Sequence, residues 1–218
     1  MSTRRQFLKT TAAIAALGSL PMRSSHAALE MGKDYALVEF PQSTTDPKRV
    51  EVLELFFYGC PHCFELEPIL VPWVKKLPKY AYFRRMPAIF NDSWVPMAKA
   101  FYAAEALGVL EKIHTDMFNA IHLQGINLNS KDTLLRWLGS HGVDSKKFAD
   151  AYDSFGVQAK VNEAKQLTAA YGIQGVPSMI VDGKYRTSSS MVGSHQKLLP
   201  ALDELIALAH KEHGAKRK

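Results

Sequence analysis

The 218-residue sequence contains only two cysteines, which lie three positions apart at Cys60 and Cys63. A structural zinc site normally takes four Cys or His ligands, and the sequence has no second cysteine pair and no other histidines at ligand spacing. A disulfide that closes so short a loop would remove little entropy from the unfolded chain, so it would be a weak structural staple. The scarcity of cysteine therefore favours a redox-active dithiol, with a staple and a metal site as the alternatives.

Acidic residues are absent from the first 27 positions, and no apolar run there is long enough to span a bilayer. The segment has a basic start at Met1–Lys9, a short apolar stretch at Thr11–Leu20 and small residues at Ser25–Ala27. This pattern predicts a signal peptide that is removed after Ala27. Thr3–Lys9 also resembles the twin-arginine export signal, and an ordinary basic leader is the alternative.

Positive charge is not concentrated in any long segment of the remaining chain. The predicted signal peptide carries four basic residues and no acidic one, so its removal lowers the net charge of +6 by four, to +2. The only basic cluster left is the tail Lys216–Lys218, which is typical of a solvated chain end. The composition therefore predicts neither a nucleic-acid partner nor a membrane partner.

Hydrophobic periodicity predicts an alternation of strands and helices. The predicted strands are Tyr35–Phe40, Val50–Tyr58, Ala81–Met86, Ser178–Val181 and Lys184–Thr187. The predicted helices are Pro61–Leu77, Val95–Leu107, Leu110–His122, Ser130–Gly139, Ser145–Phe155, Val157–Tyr171 and Ser194–Lys211. Val50–Tyr58 is apolar enough to be a central strand. Because proline lacks a backbone donor and clashes with the preceding turn, Pro68 and Pro72 predict a kink or break near Glu67.

Five of the predicted helices fall between the third and fourth strands, without an internal repeat or a low-complexity segment. This order predicts one α/β sheet domain that is interrupted by an all-helical insertion. We expect residues 28–94 and 172–218 to form the sheet domain, and residues 95–171 to form the insertion.

The position of Cys60 immediately before a predicted helix gives its thiol a distinct environment. Free backbone N–H groups and the positive dipole end of a helix favour an anion, so we expect a thiolate with a lowered pKa at Cys60. Cys63 lies one turn deeper and is the expected resolving thiol. Pro61 suits the first helical position. His62 can donate to the sulfur or add positive charge beside it, and an exposed residue without a role is the alternative.

The sequence resembles the thioredoxin fold and, more narrowly, the DsbA-type thiol:disulfide oxidoreductases. The resemblance is carried by Val52–Phe56, Cys60–Phe64, Gly175–Ser178 and Val181–Tyr185. It covers essentially all of residues 30–212, including a helical insertion in the expected place. The departures from the family pattern lie between Asn91 and Tyr171 and at Gly59, and they leave partner specificity open.

The resemblance implies roles for residues outside the cysteine motif. In this fold the Val176–Pro177 peptide bond is cis and faces the cysteines, which leaves the Val176 backbone free to pair with an extended substrate strand. An ordinary strand-opening proline is the alternative. The resemblance also implies that Glu54 and Glu67 form a buried acidic pair that relays protons under the site. Glu54 stands out independently as an acid in an apolar strand, and a solvent-facing position is its alternative.

The resemblance further implies an enzyme of the bacterial periplasm that donates its Cys60–Cys63 disulfide to unfolded, newly exported proteins, with the oxidising poise known for DsbA. A membrane quinone-linked partner of the DsbB kind would reoxidise it. We expect a monomer that uses no cofactor beyond the redox-active disulfide and no metal. A periplasmic disulfide isomerase or folding chaperone on the same fold is the alternative. The valine before Pro177 favours the oxidant, because threonine is common there in the reducing relatives.

Overall fold

A five-stranded sheet forms the centre of residues 28–216, which are the residues described by the computed structural model. Its strands are β1 (Ala36–Leu37), β2 (Val50–Phe56), β3 (Ala81–Pro87), β4 (Ser178–Val181) and β5 (Tyr185–Ser188). Their order across the sheet is β1-β5-β4-β2-β3. Strands β2 and β3 are parallel, and the other neighbouring pairs are antiparallel. The predicted signal peptide and its cleavage after Ala27 lie outside the described residues.

The helices account for most of the remaining described chain. They are α1 (Pro61–Val74), α2 (Val95–Ala106), α3 (Leu110–His122), α4 (Lys131–Ser140), α5 (Ser145–Tyr152), α6 (Phe155–Ala170), α7 (Ser189–Val192) and α8 (His195–Lys216). Helices α2 to α6 lie between β3 and β4, as the sequence predicted. None of the helices within residues 28–216 has both the length and the apolarity needed to cross a membrane.

Strand β2 lies between β3 and β4, and all seven of its residues are buried. Leu53 and Leu55 belong to a core that continues into helices α2 to α6. Val50 and Val52 belong to a second core with residues of α1 and α8. Because successive side chains of a strand point to opposite faces, this one strand holds both cores in a fixed relation to each other.

The structure corrects several predicted boundaries. The break near Glu67 is wrong, since α1 is continuous from Pro61 to Val74 with Pro68 and Pro72 inside it. Leu66 and Leu70 of this helix are fully buried in the second core, and that packing offsets the backbone hydrogen bonds that the prolines delete.

Two further corrections concern element ends. Phe155 starts α6 and does not end the preceding helix, because the Ser154 hydroxyl accepts a hydrogen bond from the Val157 N–H at 3.2 Å and caps α6. Strand β1 spans only Ala36–Leu37, because its pairing with β5 covers just those two residues. The short helix α7 was not predicted, since four residues are too few to establish a helical period.

Candidate active site

Cys60 occupies the N-cap position of α1, at the end of the loop that follows β2. Its backbone is extended, its N–H donates to the Phe57 carbonyl at 2.9 Å, and its side chain is half-buried. A hydrogen bond from the Cys63 thiol, with smaller contributions from the Cys63 and His62 N–H groups and the charge of His62, lowers the pKa of Cys60 to about 6 against the effect of burial. The helix N-terminus therefore favours the thiolate of Cys60.

Cys63 has the opposite environment, although both cysteines are free thiols in this structure. Its side chain is completely buried within the core that continues into helices α2 to α6. Burial, the hydrogen bond to the Cys60 sulfur and the negative charge of Glu54 raise the pKa of Cys63 far above that of an ordinary thiol. The two sulfurs thus differ in both accessibility and acidity.

The alkylation of the reduced protein should depend on pH through Cys60 alone. Iodoacetamide reacts with thiolates, so we expect the modification rate to rise with pH through a midpoint of about 6, set by the Cys60 pKa. Cys63 should stay unmodified at pH 7 because it is buried and protonated. Peptide mass spectrometry after a short pulse of reagent measures both. Modification of Cys63 before Cys60 would contradict the assignment.

The Val176–Pro177 peptide bond is cis, as the resemblance implied, and it lies against the active-site cysteine. The Cys60 Sγ donates to the Val176 carbonyl oxygen at 3.4 Å. Both residues of this peptide line a cavity of about 710 Å³ that His62 and the segment after β5 also border. The reactive sulfur therefore contacts a peptide that lines the groove.

Pro61 and His62 occupy the first turn of α1. Pro61 is the first residue of the helix, where its missing N–H leaves no intrahelical bond unmade. The side chain of His62 is 72% exposed, and its Nδ1 lies 3.1 Å from Oε2 of Glu65. His62 thus points to solvent at the rim of the groove while its charge acts on Cys60.

Glu54 and Glu67 are both buried, at 1% and 5% exposure, so the solvent-facing alternative for Glu54 is wrong. Arg85 lies between them. Its Nε is 3.2 Å from Glu54 Oε2, and its Nη2 donates to Glu67 Oε1 at 3.0 Å. One arginine therefore bridges the two acids, and it comes from β3, where Arg85 is the register partner of Glu54.

The two acids differ in their preferred protonation state. Burial, together with the charge of Glu67, raises the pKa of Glu54 to about 8 although Arg85 acts against this shift. Both carboxylate oxygens of Glu54 are buried without a hydrogen-bond partner, which favours the neutral acid. For Glu67, the contact with His114 and the charge of Arg85 outweigh burial and lower the pKa. Glu54 therefore holds a proton near neutral pH, and Glu67 is ionised.

Helix α3 extends this network with two histidines that sequence reasoning did not connect to the site. The Tyr58 hydroxyl lies 2.7 Å from His114 Nδ1, and His114 Nε2 lies 3.5 Å from Glu67 Oε1. Burial lowers the pKa of His114, which favours the neutral ring, and its Nε2 is buried without a hydrogen bond to another described residue. His122 Nε2 donates to the Tyr58 carbonyl at 2.7 Å.

Gly59 departs from the family pattern for a visible reason. A Cβ added at this position would lie 2.5 Å from Cε1 of Phe57. The Phe57 ring stacks on Trp94 with centroids 4.0 Å apart, so it is not free to move away. A larger residue before Cys60 would therefore displace the Phe57 ring and disturb its stacking on Trp94.

An accessible, acidic thiol beside a buried, weakly acidic one, on the first turn of a helix in a thioredoxin-like fold, defines the class of thiol:disulfide oxidoreductases. Residues 82–199 match the DSBA-like thioredoxin domain family. The chain is 43% identical over 185 residues to the thiol:disulfide interchange protein DsbA of Burkholderia cepacia. The aligned residues cover 84% of this chain and 87% of that protein. It is 40% identical to DsbA of Azotobacter vinelandii over 191 residues, 88% of this chain and 89% of the relative.

Solved structures agree with these matches. The crystal structure of Pseudomonas aeruginosa DsbA superposes with a TM-score of 0.81 at 38% identity, covering 87% of this chain and 97% of that one. The chain belongs to the DsbA family of thioredoxin-like disulfide oxidoreductases. Residues 1–21 match the twin-arginine translocation signal, so the protein is exported to the periplasm. These findings confirm the predicted fold, activity and compartment.

Proposed function

We propose that the protein oxidises newly exported proteins by passing them its Cys60–Cys63 disulfide. The difference between the two thiols is the observation that supports this proposal. A client thiolate attacks the accessible Cys60 sulfur, the S–S bond breaks, and Cys63 leaves with the electron pair and takes up a proton. A second client thiolate then attacks the client sulfur of the mixed disulfide and expels Cys60 as a thiolate, so two electrons pass from client to enzyme.

The low pKa of Cys60 gives this exchange its direction. A thiol of low pKa is a good leaving group, so the second step runs toward release of the oxidised client. The lowered pKa also stabilises the reduced enzyme relative to its disulfide. Both effects favour donation of a disulfide over its removal, which supports an oxidant.

We assign to Glu54 the delivery of the proton that Cys63 takes up. The raised pKa of Glu54, about 8, leaves it protonated at neutral pH, and Glu54 is close enough to Cys63 that its ionised form raises the Cys63 pKa. When Glu54 gives up the proton, the adjacent Arg85 stabilises the resulting carboxylate. Glu67, through its own hydrogen bond to Arg85, holds that guanidinium in place and acts as a positioning residue.

The groove beside Val176 and Pro177 is the proposed position of the client chain. Its wall combines the backbone of this peptide with the hydroxyl-rich segment 188–190 and His195, so it offers polar contacts that do not depend on one client side chain. An enzyme that acts on many exported proteins needs such main-chain recognition.

The further partners and the organisation of the chain belong to the same proposal. A membrane quinone-linked partner of the DsbB kind would accept the two electrons from the reduced enzyme, and the protein would act as a monomer. Residues 28–94 and 172–218 would form the thioredoxin-like domain, with residues 95–171 as the helical insertion.

The reduced protein should resist urea better than the oxidised protein at pH 7. The pKa of Cys60 falls from 9.0 to about 6 on folding, so thiolate stabilisation is fully present above pH 9 and is lost as the pH falls through 6. The disulfide itself stabilises the oxidised protein only slightly, because it closes a very short loop. Urea denaturation of both forms at pH 5, 7 and 8.5 should show a difference that grows with pH. Greater stability of the oxidised form at pH 7 would contradict the oxidant.

Equilibration of the Cys60–Cys63 disulfide with glutathione separates the oxidant from an isomerase. We expect a reduction potential near that of DsbA, about −120 mV, against about −180 mV for protein disulfide isomerase, which corresponds to roughly a hundredfold difference in the equilibrium constant. Reduced, unfolded ribonuclease in the same buffer should gain disulfides at the expense of the enzyme. A potential at or below the isomerase value would favour the alternative function.

A further inference from the structure

Three potential metal ligands from two helices meet at the rim of the groove. His62 and Glu65 lie one turn apart on α1, and His195 is the first residue of α8. His62 Nδ1 is 3.1 Å and His195 Nε2 is 3.7 Å from the same oxygen, Oε2 of Glu65. One donor atom from each of the three side chains lies within 4.8 Å of the others. Two imidazole nitrogens and a carboxylate oxygen are ligands that Zn²⁺ binds in proteins.

The orientation of His195 is fixed by a neighbouring side chain. The Ser189 hydroxyl of α7 lies 2.6 Å from His195 Nδ1, which leaves Nε2 directed toward Glu65. A hydrogen bond to the second ring nitrogen is the usual support of a metal-binding histidine. His195 is 18% exposed and therefore held, whereas His62 and Glu65 are 72% and 57% exposed and accessible to an ion.

We propose that His62, Glu65 and His195 bind one zinc ion. Three protein ligands leave the fourth tetrahedral position to water or to another ligand, as in open zinc sites. The sequence predicted no metal site, because the histidines show no ligand spacing. Two of the ligands proposed here are three residues apart on one helix, and the third lies 130 positions later. The packing of α1 against α8 brings them together.

Zinc at this position would also affect the groove. His62 and His195 line the same cavity as Val176 and Pro177, so a bound ion would lie at the entrance used by a client chain. This consequence rests on the proposed function, whereas the binding of zinc does not. We expect zinc to slow the oxidation of an unfolded protein substrate more than the reaction with glutathione, which is small enough to pass.

Binding is tested on the untagged, oxidised protein, since the disulfide removes both thiolates as competing ligands. Equilibrium dialysis and titration calorimetry with Zn²⁺ should give one ion per chain, and Mg²⁺ should not replace it. Glu65→Gln and His195→Gln should each weaken zinc binding at least tenfold, and Ser189→Ala should weaken it by about tenfold to a hundredfold. His210→Gln, on the exposed side of the same α8 helix, is the matched control and should bind as the parent does.

The results separate the zinc site from the proposed function. Unchanged zinc affinity in Glu65→Gln and His195→Gln, an equal loss in His210→Gln, or binding that requires the reduced dithiol would each overturn the site. Zinc-dependent shifts of the His62 and His195 imidazole resonances in NMR spectra would support it independently of turnover. If zinc binds to these residues but the enzyme does not oxidise clients, the site stands and the proposed function fails.

Discussion

Replacement of Cys60 by alanine is expected to abolish disulfide transfer to protein clients. Cys60 is the only sulfur of the pair that a client can reach, because Cys63 is completely buried and its pKa is raised. Without Cys60 no disulfide can form within the site, so turnover should fall to the uncatalysed rate. The oxidation of a reduced, unfolded protein by catalytic amounts of enzyme with excess oxidised glutathione measures this loss.

Cys63→Ala provides the complementary test of the same mechanism. With oxidised glutathione present, Cys60 should form a mixed disulfide with glutathione and exchange the glutathione for the thiol of a client that has a single cysteine. Cys63 is then absent and cannot attack Cys60 to expel that client. Covalent complexes should therefore accumulate on non-reducing gels. Accumulation of the same complexes by Cys60→Ala would reverse the assigned roles of the two sulfurs.

Arg85→Met is expected to lower the free energy of unfolding by about 3–5 kcal/mol, the usual result of removing one partner from a buried ion pair. The arginine contacts Glu54 and Glu67, and its loss leaves an ionised Glu67 without its guanidinium. Urea denaturation at pH 7 measures the effect. The double variant Arg85→Met with Glu67→Gln should recover part of the loss, because the uncompensated charge is then absent.

Arg84→Met is a matched control on the same strand. Arg84 is 3.0 Å from Glu51, which is also buried, but Glu51 keeps hydrogen bonds from Thr45 and Tyr82 when the arginine is removed. Its loss should therefore cost less than that of Arg85. Equal effects for the two arginines would show that the bridge between Glu54 and Glu67 has no special stabilising role.

The elements that sequence predicted best are those with a strong local pattern. Ser178–Val181 was placed correctly to the residue. The central position of the predicted strand Val50–Tyr58 followed from its apolar run, although β2 ends at Phe56. The errors arose where packing or a cap decided the outcome. The buried leucines of α1 stabilise a continuous helix that contains Pro68. The N-cap at Ser154 makes Phe155 the first residue of α6.

The candidate site was predictable only in its local part. The helix that starts after Cys60 defined the thiolate environment, and the apolar neighbours of Glu54 indicated a buried acid. Arg85 could not be assigned, because its contact with Glu54 depends on the register of two parallel strands. The role of His114 was even harder to predict, since its contact with Tyr58 depends on how α3 packs against the sheet domain.

Helix α3 contacts Tyr58 at two polar groups, through His114 at the hydroxyl and His122 at the carbonyl. Tyr58 lies two residues before Cys60, so the loop that presents the nucleophile is attached on one side to the sheet and on the other to the insertion. The helical segment is consequently not a modular accessory that could be exchanged between relatives without cost. A chimera that imports a foreign α3 would have to bring matching partners for Tyr58, and a mismatch there would displace the loop that carries the nucleophile.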